Sequence, residues 1–284
     1  MSDSRISFLN GEFLPHNKCF VHIEDRGFQF ADAVYEVTLF RNGKLIDAEG
    51  HMDRLHRSLA EVKIKHHFSK AELIEIILEL FAKNNLSEGF CYMQISRGHH
   101  ARIPSLPVDL TPTIVMTVAD GKKLTEEEFT NGFNLMTHED IRWNRCDIKT
   151  VGLLASTLVN QKAKDSGFDD ALFVKNGIVT EASFANAFIV DQHNTIITKD
   201  ADNSILRGIT RDRIIDLAKK NGLKVEERAF KLDELIKAKE VFLSSSTLIL
   251  RPITKVDNHK IGNGKAGEIT RKIRDLYLEF IKSC

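Results

Sequence analysis

Three stretches of the chain alternate apolar and polar residues on either side of an Asn-Gly pair: ISFLNGEFL, VTLFRNGKLID and ALFVKNGIVTE. Alternation sends successive side chains to opposite faces of a strand, and Asn-Gly readily takes the left-handed backbone of a tight turn, so each stretch predicts an antiparallel hairpin. Elsewhere the apolar period lengthens. HMDRLHRSLAEV (51–62) reads as a helix. A second helix starts at Ser69, where Ser69 and Glu72 form a capping box ahead of Leu73, Ile76, Ile77, Leu80 and Phe81 on one face. FCYMQISRG (90–98) and TIVMTVA (113–119) predict strands, with the Pro-containing RIPSLPVDLTP as the loop between them.

DGKKLTEEEF (120–129) is highly charged and short of aliphatic residues, and it marks the expected boundary between a domain of residues 1–120 and one of 121–284. Beyond it, FNLMTHEDI, FANAFIV, TIIT and EVFLSSS (240–246) are strand-like. Helices are expected over 151–167, ending at Gly167, and over 209–222 and 266–282. Strand-rich segments with helices between them in both halves imply an α+β fold rather than a regular βαβ series.

Composition narrows the partners. The 284 residues suffice for about two domains, and 40 basic residues balance 40 acidic ones. No overall field favours nucleic acid or an anionic membrane, which leaves a small-molecule ligand as the expected partner. No apolar run approaches the ~18 residues of a spanning helix, and MSDSRISFLNGEF lacks a basic stretch followed by an apolar one, so a cytoplasmic protein is expected. The four cysteines (19, 91, 146 and 284) have no CxxC spacing, which points to reduced thiols. The eleven histidines form no HExxH pattern, so no metal is expected.

Four places can carry chemistry. Lys149 lies between a strand-like segment and a helix; most lysines are solvated, but a lysine amine can also condense with an aldehyde. Glu181 opens the otherwise apolar stretch VTEASFANAFIV (179–190), where a carboxylate is costly to bury unless it meets a cation. An arginine in a core ion pair or a protonated heteroaromatic nitrogen would serve. In NSILRGITRD (203–212), Gly208 permits a tight turn and Ile209-Thr210 opens a helix, whose unpaired backbone N–H groups attract phosphate. The SSST run at 244–247 either adds hydroxyls to the same anion or is an ordinary polar loop.

The run from Glu181 through Asn186 and Phe188, then IIT (196–198) and LRGITR (206–211), resembles the signature of the class IV aminotransferases, the fold-type IV pyridoxal-phosphate enzymes. EDRGFQFADAVYEV (24–37) and EDIRWNRCDIKTVGLLA (139–155) are similar to the D-amino-acid transaminase branch, and the likeness runs from about residue 5 to residue 280. The resemblance implies two domains, a smaller N-terminal α/β domain and a larger C-terminal cofactor-binding domain with a barrel-like antiparallel sheet. It implies pyridoxal 5'-phosphate as cofactor, with Lys149 forming the internal aldimine and then moving a proton between substrate and cofactor. Glu181 would hold the pyridine nitrogen protonated. Arg54, Ile209, Thr210, Ser246 and Thr247 would bind the phosphate, and Leu206 would pack on the ring.

Tyr35 and Arg102 resemble members of a trap for the substrate carboxylate in which the arginine reaches over from a neighbouring subunit, which implies a homodimer. The implied reaction exchanges an amino group between a D-amino acid, such as D-alanine or D-glutamate, and a 2-oxo acid. Two departures stand out. The branch has Arg-x-His where this chain reads Arg102-Ile103-Pro104, with His99 and His100 as the nearest replacements, and Phe184 stands where a small polar residue is usual. The missing histidine keeps open a transaminase for branched-chain L-amino acids or (R)-amines. The shared lysine and glutamate keep open a lyase similar to aminodeoxychorismate lyase, and a non-catalytic binder of a phosphate ligand is the remaining alternative.

Overall fold

The computed structural model describes residues 5–121 and 123–284. The chain forms two compact units, Met1–Lys122 with Ile148–Gly152 and Cys284, and Lys123–Asp147 with Leu153–Ser283.

The first unit holds β1 (Ile6–Leu9), β2 (Glu12–Pro15), α1 (Arg26–Phe30), β3 (Ala33–Arg41), β4 (Lys44–Leu45), α2 (Ala48–Glu61), α3 (Lys70–Lys83), β5 (Gly89–Ser96) and β6 (Thr113–Ala119). Its antiparallel sheet has the order β2-β1-β6-β5-β3-β4. The Asn-Gly turns form as expected: Asn10 and Gly11 take φ of 49° and 99°, Asn42 and Gly43 of 51° and 77°. Helix α3 starts at the capping box, where the Ser69 hydroxyl accepts from the Glu72 N–H at 3.2 Å and the Glu72 carboxylate accepts from the Ser69 N–H at 2.7 Å. Met52, Leu55 and Leu59 of α2 and Leu73, Ile77, Leu80 and Phe81 of α3 are buried in one core with Val34, Phe40, Met93 and Ile95 of the sheet. Phe40 and Phe81 stack at 4.0 Å between centroids.

Residues Ile148–Gly152 complete this unit. Ile148 joins the core, the Tyr35 N–H donates to the Lys149 carbonyl at 3.0 Å, and the Val151 N–H donates to the Ala33 carbonyl at 3.1 Å. The helix expected from residue 151 therefore begins only at Leu154, because Val151 is already bonded along the start of β3.

The second unit comprises α4 (Glu126–Asn131), β7 (Phe133–Glu139), α5 (Leu154–Asp165), β8 (Asp170–Lys175), β9 (Ile178–Ala182), β10 (Asn186–Val190), β11 (Ile196–Thr198), α6 (Ile209–Lys220), β12 (Val225–Glu227), α7 (Leu232–Ile236), β13 (Glu240–Ser245), β14 (Ile249–Val256), β15 (His259–Lys260) and α8 (Glu268–Ser283). The strands run β12-β11-β10-β13-β14-β7-β8-β9, and β9 pairs back onto β10, closing a six-stranded barrel-like ring. Two joins, β14 to β7 and β7 to β8, are parallel, so the ring is not antiparallel throughout. The reason is connectivity: β7 follows α4 rather than a hairpin, and β8 is reached only after α5, the kind of crossover that parallel neighbours require. Leu135, Leu172, Val179, Ala187, Ile189, Val241, Leu243 and Ile253 fill the core of this unit. Among the described residues, no helix is long and apolar enough to cross a membrane.

Candidate active site

In the first unit Lys149 is half-buried, and its position is fixed through the backbone bonds to β3. Its Nζ lies 4.0 Å from the centroid of the Tyr35 ring, and no carboxylate among the described residues pairs with it. A cation over an aromatic face is held by the ring quadrupole and keeps its donors available. Tyr35 packs against Tyr92 at 5.7 Å between centroids. The Tyr92 hydroxyl donates to Gln94 at 2.8 Å, and burial pushes it up to about 12.

Arg54 is placed differently from a solvated helix-face arginine. It is buried on α2 and grips Glu36 in a fork, Nε to Oε1 at 2.7 Å and Nη2 to Oε2 at 2.8 Å, while His51 Nδ1 lies 2.8 Å from the same carboxylate. Burial alone would raise the Glu36 carboxyl, but the Arg54 charge and the hydrogen bonds from Arg54 and His51 overcome it and hold Glu36 well below the usual carboxylate range. Tyr35 and Glu36 are successive residues of a strand and point to opposite faces, so the contacts of Lys149 and of Arg54 lie on opposite sides of β3.

Arg102 is exposed and lies over the Phe30 ring at 5.0 Å, with no hydrogen bond or cation–ring contact to Tyr35 among the described residues. Its loop is nevertheless anchored. Arg26 donates to the Ile103 carbonyl at 2.8 Å and to Asp32 at 2.8 Å, and Arg97 grips Asp32 at 2.7 and 2.9 Å. His99 packs against His22 with the rings tilted, centroids 4.8 Å apart, and His100 Nδ1 lies 2.7 Å from the Ala101 carbonyl.

In the second unit Glu181 is buried on β9. Its Oε2 accepts from Asn186 Nδ2 at 3.0 Å, both oxygens lie near the Leu206 N–H, at 3.3 and 3.2 Å, and Oε1 accepts from Arg142 Nη1. The arginine partner that a buried glutamate calls for is thus present. Asn186 also donates to the Leu206 carbonyl at 2.8 Å, tying the 206–208 turn to β10. The next residues open α6 at Gly208, which has no side-chain cap, and the N–H groups of Ile209 and Thr210 have no acceptor among the described residues. A Cβ on Gly208 would come within 2.1 Å of Asn186 Oδ1, so any larger residue here must displace the Asn186 side chain.

Ser246 and Thr247 lie in the turn joining β13 to β14, and Ile249, just after it, takes φ of 61°, a left-handed conformation unusual for a β-branched residue. Register places Ser244 opposite Asn186, and Asn186 opposite Glu181, so the three side chains share one face of neighbouring strands. Ser244 is buried, and its hydroxyl has no partner among the described residues. A carboxylate, an amide and an unpaired hydroxyl in one row, together with the bare first turn of α6, fit a flat, polar heterocycle that carries a phosphate.

A family model described as "Amino-transferase class IV" matches residues 33–256. The chain is a class IV aminotransferase. It is 38% identical over 266 residues to a D-alanine aminotransferase from Bacillus licheniformis, covering 94% of this chain and 93% of the relative. A D-alanine aminotransferase from Listeria monocytogenes is 40% identical over 275 residues, with 96% and 95% covered. Among solved structures, the branched-chain amino acid aminotransferase of Escherichia coli superposes with a TM-score of 0.91 at 26% identity, covering 98% of this chain and 95% of that one.

In this aminotransferase the structure collects the predicted residues in two groups, each within one unit: Lys149 with Tyr35, and Glu181 with Leu206, each by direct contact. Sequence reading left Glu36, His51, Asp140 and Arg142 without roles. A signal for Arg142 existed, since a glutamate in an apolar run requires a cation, but the residue supplying it lies 39 positions away.

Proposed function

We propose that the enzyme carries pyridoxal 5'-phosphate on Lys149 and exchanges an amino group between a D-amino acid, such as D-alanine or D-glutamate, and a 2-oxo acid. The observation that carries this reading is the Lys149 amine, half-buried on an aromatic face and unpaired by any carboxylate among the described residues. The identity to two D-alanine aminotransferases along nearly the whole chain supports the substrate class.

The cofactor, when bound, supplies an aldehyde for the amino group and a ring that accepts the electron pair released at the substrate Cα. Lys149 Nζ would be the group that takes the proton from the substrate Cα, a role suited to an amine held in place by its backbone. Glu181 accepts a hydrogen bond from the pyridine nitrogen. The N–H groups of Ile209 and Thr210, with Ser246 and Thr247, hold the phosphate, and Leu206 lines the ring. Arg54, locked by Glu36 and His51, adds positive charge to the phosphate set. Tyr35 and Arg102 orient the substrate carboxylate. A second copy of the chain completes the enzyme, in keeping with the exposed apolar side chains of Phe20, Ile23 and Phe28.

Borohydride reduction followed by peptide mapping tests the covalent step; a label anywhere but Lys149 overturns it. Turnover of D-alanine with 2-oxoglutarate, run beside L-leucine and a simple chiral amine, tests the substrate class. Consumption of L-leucine alone would favour the branched-chain reading, which the exposure of Arg102 and the missing histidine at Pro104 recommend as the second choice.

A further inference from the structure

Asp140 and Arg142, both half-buried, and the buried Glu181 form a line of charge within the second unit. Asp140 grips Arg142 in a fork, Nε to Oδ1 at 2.9 Å and Nη2 to Oδ2 at 2.7 Å, and is itself fixed by the Thr180 hydroxyl, which donates to it at 2.8 Å. The guanidinium lies over the Phe173 ring at 4.6 Å, and its Nη2 also reaches the Ser204 carbonyl at 3.2 Å. With its plane set on both edges, Arg142 presents Nη1 to Glu181 Oε1. Nothing in the amino-transfer scheme uses Arg142.

We infer that Arg142, held in place by Asp140, is a positioning residue that keeps the proton shared by Glu181 and the facing pyridine nitrogen on the nitrogen. The inference rests on the proposed function. With one proton between them, a carboxylate at position 181 accepts from the protonated ring nitrogen, whereas a neutral acid there would hold the proton and donate it to an unprotonated ring, which would then draw electrons poorly. No proton is gained or lost in this choice, which moves one proton between oxygen and nitrogen.

Burial favours the neutral acid: it pushes the Glu181 carboxyl above its ordinary range, and the Asp140 charge acts in the same direction. The Arg142 charge and hydrogen bond, with the Leu206 N–H, oppose this. Cys146 faces the same groups, but burial pushes its thiol up to about 11, so it stays neutral near pH 7. Arg142 is therefore the cation that weakens Glu181 as a base, and Asp140 keeps it charged and oriented.

The test uses holoenzyme loaded with cofactor 15N-labelled at the ring nitrogen, whose NMR shift reports protonation directly. The parent is expected to show a protonated nitrogen at pH 7.5. Arg142→Met and Glu181→Gln are both expected to show an unprotonated one, with cofactor dissociation constants raised about tenfold or more, and the double variant should match the weaker single variant within a factor of about three. A merely structural arginine would lower stability without moving the nitrogen shift. A protonated nitrogen in R142M overturns the inference. If R142M does not fold, Arg142→Gln keeps an amide donor toward Glu181 without the charge; the same unprotonated signal is expected, and a protonated one again overturns the inference. Borohydride labelling separates the two ideas. An unlabelled Lys149 in the parent sinks both, whereas labelled Lys149 with an unmoved shift in the variants sinks only the role of Arg142.

Discussion

Replacing Glu36 with glutamine tests the cluster that holds Arg54. Glu36 is fully buried, Arg54 and His51 are nearly so, and Arg54 meets the carboxylate through two nitrogens. Glu36→Gln leaves the guanidinium buried with a neutral partner that can accept through one oxygen only. Breaking a buried pair in this way costs roughly 3–5 kcal/mol. With a urea slope of roughly 2–3 kcal/mol/M, the unfolding midpoint should fall by about 1–2.5 M. If Arg54 contributes to holding the cofactor phosphate, the dianion supplies part of the missing counter-charge, so the deficit should be smaller in holoenzyme than in apoprotein. Paired urea titrations of both forms, parent and variant, measure this. A deficit under about 1 kcal/mol in apoprotein would refute the burial argument, and equal deficits in the two forms would remove Arg54 from the phosphate set.

Acid should destabilise the protein through the same groups. Arg54 and His51 overcome burial at Glu36, and Arg97 and Arg26 overcome it at Asp32, so both carboxyls titrate below their ordinary values. Their stabilisation is complete above about pH 5 and is lost as pH falls through the folded-state values; E36Q should show a shallower decline below pH 5 in acid titrations followed by circular dichroism. Gly208→Ala places a Cβ within 2.1 Å of Asn186 Oδ1 and should cost roughly 1–3 kcal/mol while loosening the cofactor; unchanged cofactor retention on dialysis would show that the Asn186 bridge can shift freely. Ile249→Asn should stabilise by about 1 kcal/mol, since asparagine tolerates the left-handed backbone that a β-branched residue resists. A lower urea midpoint would mean that the isoleucine side chain packs more favourably than its backbone strain costs.

Features decided by neighbours in sequence were legible, and those decided across long loops were not. The Asn-Gly hairpin at residues 176–177 and the Ser69 capping box depend on residues within four positions of one another, and both form. Helix α4 carries a second capping box at Thr125 and Glu128, which the charged composition of 120–129 masked. The parallel joins of β7 depend on which strands α5 separates, which periodicity does not encode. In the site, the Gly208 turn and the bare start of α6 were readable because helix ends are local. The Asp140–Arg142–Glu181 line was not, because nothing local tells a buried arginine from a solvated one; the same holds for Glu36 and Arg54, 18 residues apart.

The five residues Ile148–Gly152 tie the first unit to the order in which the chain is made. On a ribosome, residue 122 leaves the exit tunnel while the first unit still lacks Ile148 from its core and the backbone partners of Ala33 and Tyr35. At roughly 5–20 residues per second, the thirty residues that follow take about 2–6 s to appear, and for that interval a nearly complete sheet waits with one margin open. A translation product halted at the boundary would lack both the closing segment and the amine it carries, so the segment that finishes the N-terminal structure is also the one that delivers Lys149.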